Sequence, residues 1–467
     1  MADNMKGVSP TGKTAGSEKR KVFTGLVKCP LFSEQAKLTL EKDALLITAM
    51  FDQLPIPYGE IISFTLVDYR VEIQMPDGMV TISHLGQAAQ WLYDKLYAIY
   101  NDAVLEALLV KGQHNFEAAG EYIAKENGRT RQGQAVIRLY EDCLCILPPD
   151  DHARRVPLCF LTGMEKDGFS MTLTLATGER YTLSKLGREL DNLERLLTDS
   201  LRALRERTLE WHKELAPNLG SMQAAMAAKL MPMGTAASME KLTRAAPLLV
   251  TALEEKVKDS RMAQTYPWLR NLCGGSGLTV GVLPPPEKEE AQPAMPEMPA
   301  AKTTALEDGQ EQAEETEPKP ILWAIAPDRD RRLAAVELAL GDDEAAATYL
   351  YRVEGEWEPF ARLIDRALEA TGFQRELILM PEHELNAPEH LEAAMLVKRT
   401  PALGLLRRQF AGRAIHSSPD RWRRDIEKCR AAIPLATAPK QAERHCTKCG
   451  ATLAPDAKFC GQCGSPE

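Results

Sequence analysis

Apolar and polar positions alternate through residues 69–75, with Val71, Ile73 and Met75 on one side and Arg70, Glu72 and Gln74 on the other. A period of two sends successive side chains to opposite faces, so this stretch reads as a strand with one buried and one wet face. Residues 169–175 repeat the pattern with Met171, Leu173 and Leu175 set against Ser170, Thr172 and Thr174. Pro76-Asp77-Gly78 and Thr177-Gly178 supply turn residues that reverse the chain into a following strand at 79–83 or 180–184. Beyond each copy's Leu-Gly the period lengthens. Ala88, Leu92, Leu96, Ile99 and Ala103, and likewise Leu190, Leu193, Leu197, Leu201 and Leu204, fall at helical spacing. Each meander therefore ends in an amphipathic helix whose stripe has the face or open end of its own sheet to bury against.

The two meanders are copies. Ala36, Leu40, Asp43, Leu45 and Ile47 return as Ala135, Leu139, Asp142, Leu144 and Ile146, a displacement of 135 − 36 = 99. The displacement is 100 from Pro57, Val71, Ile73, Met75 and Gly78 to Pro157, Met171, Leu173, Leu175 and Gly178. It is 101 from Thr81, Ser83, Leu85 and Gly86 to Thr182, Ser184, Leu186 and Gly187. A drift of one residue per loop marks a duplicated unit, placed at 22–112 and 113–213 behind a basic tail at 1–21 that reads as disordered.

Residues 214–275 are rich in Ala, Leu and Met, with helical spacing through Leu242, Ala246, Leu249 and Leu253. Their methionines, Met222, Met226, Met231, Met233 and Met239, read as gap-filling core ahead of a soft binding groove. From 284 to 319 seven prolines and ten carboxylates stand against three lysines. Such a stretch buries too little surface to offset its ordering entropy and reads as disordered. Leu278, Val280 and Val282 alternate before it. After it, 321–326, 333–340 and 346–353 read as strands, followed by a helix presenting Trp357, Phe360, Ala361, Ile364 and Leu368. The acidic stretch is thus expected to be a long loop inside a third β-plus-helix unit at 276–372.

Residues 373–433 read as all helical. Between 395 and 430 ten basic residues face three acidic ones, a local balance of 10 − 3 = +7. The expectation is a solvated helix face that also pairs with the acidic loop; the sharper alternative is a surface for phosphates or acidic partners.

The totals bound the function. At 467 residues the chain is expected to divide into several domains, and 44% hydrophobic with 26% charged residues is ordinary for folded protein. A net charge of −9 argues against a surface devoted to nucleic acid or anionic membrane. No stretch is apolar enough to span a bilayer, and the N-terminus lacks a secretory apolar region. Cys29, Cys143, Cys145, Cys159, Cys273 and Cys429 are scattered through apolar runs, as suits reduced thiols in a cytoplasmic protein.

The enzyme motifs are missing: no phosphate loop ending in Lys-Ser/Thr, no His-Glu-x-x-His, no Gly-x-Ser-x-Gly. Gly274-Gly275-Ser276-Gly277 reads as a hinge, and His383-Glu384 and Asp150-Asp151-His152 as surface clusters in loops. The sharp motif closes the chain after a linker at 434–444. Cys446 and Cys449, then Cys460 and Cys463, form two Cys-x-x-Cys-Gly knuckles ten residues apart within 445–467. Two residues between cysteines let both thiolates reach one ion, and the following glycine permits the left-handed turn that aims N–H groups at sulfur. Four thiolates favour one tetrahedral Zn2+, and so short a segment would draw its folding energy from the metal.

The run from His445 to Gly464 resembles the small zinc-ribbon family. That resemblance implies Cys446, Cys449, Cys460 and Cys463 as metal ligands in a structural site, with His445 redundant. Residues 22–213, as two copies of an antiparallel meander closed by a helix, resemble the pleckstrin-homology-like (PH-like) domains. Members of that family bind phosphoinositides, other anionic lipids, or peptides laid against a strand edge. Its lipid-binding form carries a basic cluster between the first two strands. The corresponding loops are read here as Glu41-Lys42-Asp43 and Glu141-Asp142, which are acidic and place protein binding ahead of lipid.

The expected fold class is α+β multidomain: tandem β-meander or barrel units each closed by a C-terminal helix, a helical or mixed C-terminal region, and a small four-cysteine zinc ribbon. The expected function is a non-enzymatic cytoplasmic scaffold or adaptor binding a protein partner through the PH-like units and the ribbon. A nucleic-acid-associated factor using the ribbon and residues 395–430, and a peripheral anionic-lipid-binding protein, are the alternatives.

Overall fold

The structure, a computed structural model, describes residues 22–285, 320–339 and 347–433, and the backbone of 444–445 and 452–453. The basic tail, nearly all of the acidic stretch, the linker up to 443 and all four knuckle cysteines lie outside the described residues.

The first unit comprises Val22–Lys28 (β1), Ser33–Leu40 (β2), Ala44–Thr48 (β3), Gln53–Pro57 (β4), Ser63–Val67 (β5), Arg70–Met75 (β6), Gly78–Ser83 (β7) and the helix Ala88–Ala107 (α1). The second comprises Phe116–Glu126 (β8), Arg129–Leu139 (β9), Cys143–Leu147 (β10), Arg154–Pro157 (β11), Leu161–Asp167 (β12), Ser170–Leu175 (β13), Arg180–Ser184 (β14) and the helix Glu189–Leu215 (α2). Their strand orders, β4-β3-β2-β1-β7-β6-β5 and β11-β10-β9-β8-β14-β13-β12, are one topology written twice. Each is a seven-stranded antiparallel sheet followed by its helix, the meander-plus-helix architecture expected from the sequence. The alternation has the expected cause: Val71, Ile73, Met171 and Leu173 are fully buried, as are Leu92 and Leu96 of α1 and Leu193 and Leu197 of α2.

The repeat also reaches into strands that its sequence signal did not include. Gly25 pairs with Ala36, and Gly120 pairs with Ala135. At both glycines the first strand crosses the last so closely that a Cβ would sit 2.8 Å from a carbonyl oxygen, of Ser83 or Ser184. The repeated Leu85 and Leu186 fill the remaining space, 3.0 and 2.7 Å from that Cβ position. The displacement here is 120 − 25 = 95 because the β8–β9 hairpin is four residues longer than the β1–β2 hairpin.

The first pair of strands corrects the loop reading. The β1–β2 connection is 29–32 and the β8–β9 connection is Asn127-Gly128, whereas Glu41-Lys42-Asp43 and Glu141-Asp142 join the second strand to the third. In the second unit the true first connection is basic, flanked by Lys125, Arg129 and Arg131.

The remaining helices before the acidic stretch are Ser221–Leu230 (α3), Met239–Ala245 (α4), Pro247–Lys258 (α5) and Tyr266–Leu272 (α6). A third sheet takes Ala236–Ser238 (β15), Thr279–Leu283 (β16), Ile321–Pro327 (β17), Leu333–Ala339 (β18), Ala347–Arg352 (β19) and Phe410–Ile415 (β20), in that order and all antiparallel. Leu283 of β16 pairs with Ile321 of β17, so the acidic stretch begins and ends on neighbouring strands of one sheet. The helices Trp357–Ala370 (α7), Arg375–Leu379 (α8), Glu382–Leu385 (α9), Leu391–Arg399 (α10), Pro401–Gln409 (α11) and Pro419–Ala432 (α12) follow.

Two strands stand where the sequence reads as helix. β15 falls within 214–275, and β20 within 373–433, so the all-helical reading of the latter is corrected. Both are edge strands whose small residues, Ala236 and Ala237, Ala411 and Ala414, carry no clear period. Pairing with β16 and β19 decides their conformation. Nearly every residue of β17 and β18 is buried, because this sheet is covered on both faces. Trp323, Ile325 and Val336 join the core of the first unit and α7, while Leu322, Ala324 and Ala335 pack with the α3–α6 helices and α12.

The parts share more than a chain. The loop between β10 and β11 lies along the edge of β5: Phe64 N–H donates to Pro149 O at 3.0 Å and Asp151 N–H donates to Ile62 O at 2.9 Å. Tyr97 and Tyr100 of α1 donate their hydroxyls to Leu147 O and Asp150 O at 2.5 and 2.7 Å. Arg155 of β11 pairs with Glu369 of α7 at 2.5 Å, both side chains one-tenth exposed. Asp365 of α7, fully buried, accepts from Ala236 N–H at 2.8 Å and from Trp323 Nε1 at 2.9 Å.

Candidate metal centre and binding surfaces

The described part of the terminal module is a two-stranded antiparallel ribbon, Arg444–His445 against Thr452–Leu453, with Arg444 opposite Leu453 and His445 opposite Thr452. In sequence Cys446 and Cys449 fall between these two short strands, and both lie outside the described residues. The donor set fits the metal: four soft thiolates at paired spacing suit tetrahedral zinc.

The basic residues between 395 and 430 are largely engaged within the molecule. Arg399 is 1% exposed, donates to Tyr100 OH at 2.7 Å and has its guanidinium carbon 5.9 Å from that ring. Lys398 pairs with Asp151 at 2.6 Å. Arg407 donates to the carbonyls of Leu377 and Met380 and pairs with Glu382 at 2.9 Å. Arg413 stacks over Tyr349, Arg421 pairs with Asp425, Arg423 with Asp420, and Arg430 with Asp328 and Asp330. Four carboxylates from outside this segment, Asp151, Glu382, Asp328 and Asp330, therefore lower its balance to 7 − 4 = +3.

Asp150-Asp151-His152, read from sequence as a surface cluster, is half-buried at the joint between the first two units. Its His152 Nδ1 lies 3.2 Å from a carboxylate oxygen of each aspartate. The backbone bonds of Asp150 and Asp151 and the Lys398 pair give it a structural task, holding β5, α1 and α10 together. His383 is exposed, as expected. Gly274, Gly275 and Gly277 all take positive φ, the left-handed region that favours glycine. Of the methionines, Met231 and Met239 are buried, while Met222 and Met226 are exposed at 75% and 48%.

A feature that sequence reasoning missed is a cleft of about 720 Å³ between the β8–β9 hairpin and the α10–α11 helices. Its base is the buried pair Glu126–Arg154, in which Arg154 Nε and Nη2 donate to the two carboxylate oxygens at 2.8 and 2.9 Å and Tyr181 OH donates at 2.7 Å. Burial raises the Glu126 pKa, but Arg154 and Tyr181 outweigh it and hold the carboxyl below its ordinary value. Arg129 and Arg131 line one side, and Lys398, Arg407 and Arg408 the other. The signal for the hairpin was present in the sequence: Asn127-Gly128, both at positive φ, is the dipeptide a tight two-residue turn demands. It went unread because Ala118, Gly120, Ala124 and Glu126 interrupt Phe116 and Tyr122 on the inward face of β8 and blur its period.

The fold and the motif together define an α+β multidomain protein of two seven-stranded units each closed by a helix, a mixed region and a terminal segment with zinc-ribbon cysteine spacing. In comparisons with known proteins, residues 445–466 match the zinc-ribbon domain family. No curated protein matches. Among solved structures, a chain from "Structure of the Spt16D Pob3N heterodimer" is similar over 34% of this chain and 87% of its own, at 12% identity and a TM-score of 0.16. That likeness is too distant to bear on how this chain works. No helix among the described residues is long and apolar enough to cross a membrane.

Proposed function

We propose that the protein is a non-enzymatic cytoplasmic scaffold or adaptor that binds other proteins through its PH-like units and its ribbon. The observation that carries this reading is the occupied edge of β5. The first PH-like unit already holds an extended segment, 149–151, by backbone hydrogen bonds along its edge strand. That is how such sheets recognise peptides, and here the mode operates within the chain. In this reading Cys446, Cys449, Cys460 and Cys463 hold one structural zinc ion. Protein fills all four positions, so no site is left for a metal-activated water. A tethered second module multiplies the affinity of the first through effective concentration.

The test is an affinity pull-down from the native host with the full chain and with a version ending before Cys446. A discrete set of partners, some held only by the full chain, is the expected result; no enrichment over an unrelated bait overturns the reading. Engagement of Arg399, Arg407 and Arg413 with a tyrosine hydroxyl, backbone carbonyls and a ring within the molecule favours protein over nucleic acid as partner. Absence of DNA and RNA binding at low salt is the corresponding expectation, and a steep fall of affinity with salt would instead favour the nucleic-acid alternative. Liposome co-sedimentation measures the lipid alternative in the same preparation.

A further inference from the structure

We infer that the cleft between the β8–β9 hairpin and the α10–α11 helices is a binding site for an acidic peptide segment that also carries apolar side chains. The inference deepens the scaffold reading by naming one docking site and the chemistry of its occupant.

Two observations support it. Six basic residues line the cleft against two carboxylates, Glu126 and Glu382. Arg154, Lys398 and Arg407 already have carboxylate partners, but Arg129, Arg131 and Arg408 have no ion pair among the described residues. Guanidinium groups present forked donors that match a carboxylate two bonds at a time, and unpaired ones converging on a cleft leave a positive field that an anion would relieve. Second, Val397, Pro401 and Leu405 line the same cleft and are half-buried, while Arg129, Lys398 and Arg408 are exposed. Apolar surface within a cationic surround suits a peptide with acidic and aliphatic side chains.

The same features disfavour other polyanions. No aromatic residue among the described ones lines the cleft, so unpaired bases would find no stacking platform. A phosphorylated sugar headgroup would leave Val397 and Leu405 against polar atoms.

The experiment uses the full chain and a fluorescein-labelled peptide of repeated Glu-Glu-Leu triplets, followed by fluorescence anisotropy. Binding should weaken about tenfold or more when Gln replaces Glu in the peptide, and by a similar factor in R129E/R131E and in R408E. Arg129 and Arg408 are exposed and Arg131 is half-buried, and an unchanged melting curve confirms that the variants fold. R424E alters a basic residue outside the cleft and should bind as the parent does. Equal loss in R424E, or no loss in the cleft variants, overturns the inference. So does binding to phosphoinositide vesicles that the peptide fails to compete away while the peptide itself does not bind. A chain that captures partners in the pull-down yet ignores the peptide would remove this site and leave the scaffold reading standing.

Discussion

Asp365 shows how one carboxylate organises a junction. Burial pushes its pKa up to about 6, against the Ala236 N–H, Arg362 and the Trp323 indole, which favour the charged form. Its unfolded value is about 3.9, so between the two the folded chain binds the extra proton. The stability that proton confers is complete below about pH 4 and is lost as pH rises through about 6. D365N should abolish that slope. At neutral pH it should cost about 1–3 kcal/mol, because an amide offers one acceptor oxygen to two donors; urea denaturation across a pH series measures both. His212 works in the opposite sense. Burial alone lowers its pKa to about 4, so the stability of its neutral form is present above about pH 6.5 and is lost as pH falls toward 4. H212Q should therefore flatten the acid side of the same profile. At Gly120 the added methyl of G120A would meet Leu186 Cδ2 at 2.7 Å and a backbone oxygen at 2.8 Å. An overpacking cost of about 1–3 kcal/mol, read as a lower melting temperature, is expected.

Among the elements, β11 and α7 are tied by the Arg155–Glu369 pair, reinforced by Arg366 Nη2 donating to Arg155 O at 2.8 Å. Glu369 also pairs with buried Arg366 at 2.7 Å, and Arg155 with Asp142 at 2.7 Å, so E369A strips Arg366 of its carboxylate and should destabilise by about 3–5 kcal/mol in equilibrium unfolding, while R155M/R366M/E369L should recover most of that loss. The elements also show what a sequence displays and what it conceals. The strands with alternating faces, the two closing helices and the amphipathic α7 were legible because burial on one side writes a period into the residues. β8 was not, since close crossing of strands demands glycine and alanine at positions a pattern search expects to be large. β20 was not, since its six residues are extended only by virtue of pairing with β19. The cleft escaped for a related reason: Arg129 and Arg408 lie 279 positions apart (408 − 129), and only the tertiary fold brings them to one opening.

For the whole molecule, the ribbon and the main body should respond separately to metal. C449S, or a strong chelator, should reduce bound zinc to near nothing by elemental analysis, while the cooperative melting of the rest stays put. The ribbon was legible from thiol spacing alone, since coordination geometry is fixed by a few neighbours in sequence. The way two repeated units lock onto a third, two-sided sheet was not, because contacts such as Tyr100 with Arg399 depend on residues 299 positions apart. The pairing of Leu283 with Ile321 carries a practical consequence. A protease that nicks the chain between them would yield two bands on a denaturing gel and still a single peak on a sizing column, since the severed halves remain adjacent strands. The same junction would accept an inserted fluorescent reporter at little energetic penalty, because each doubling of such a connection costs only about 0.6 kcal/mol.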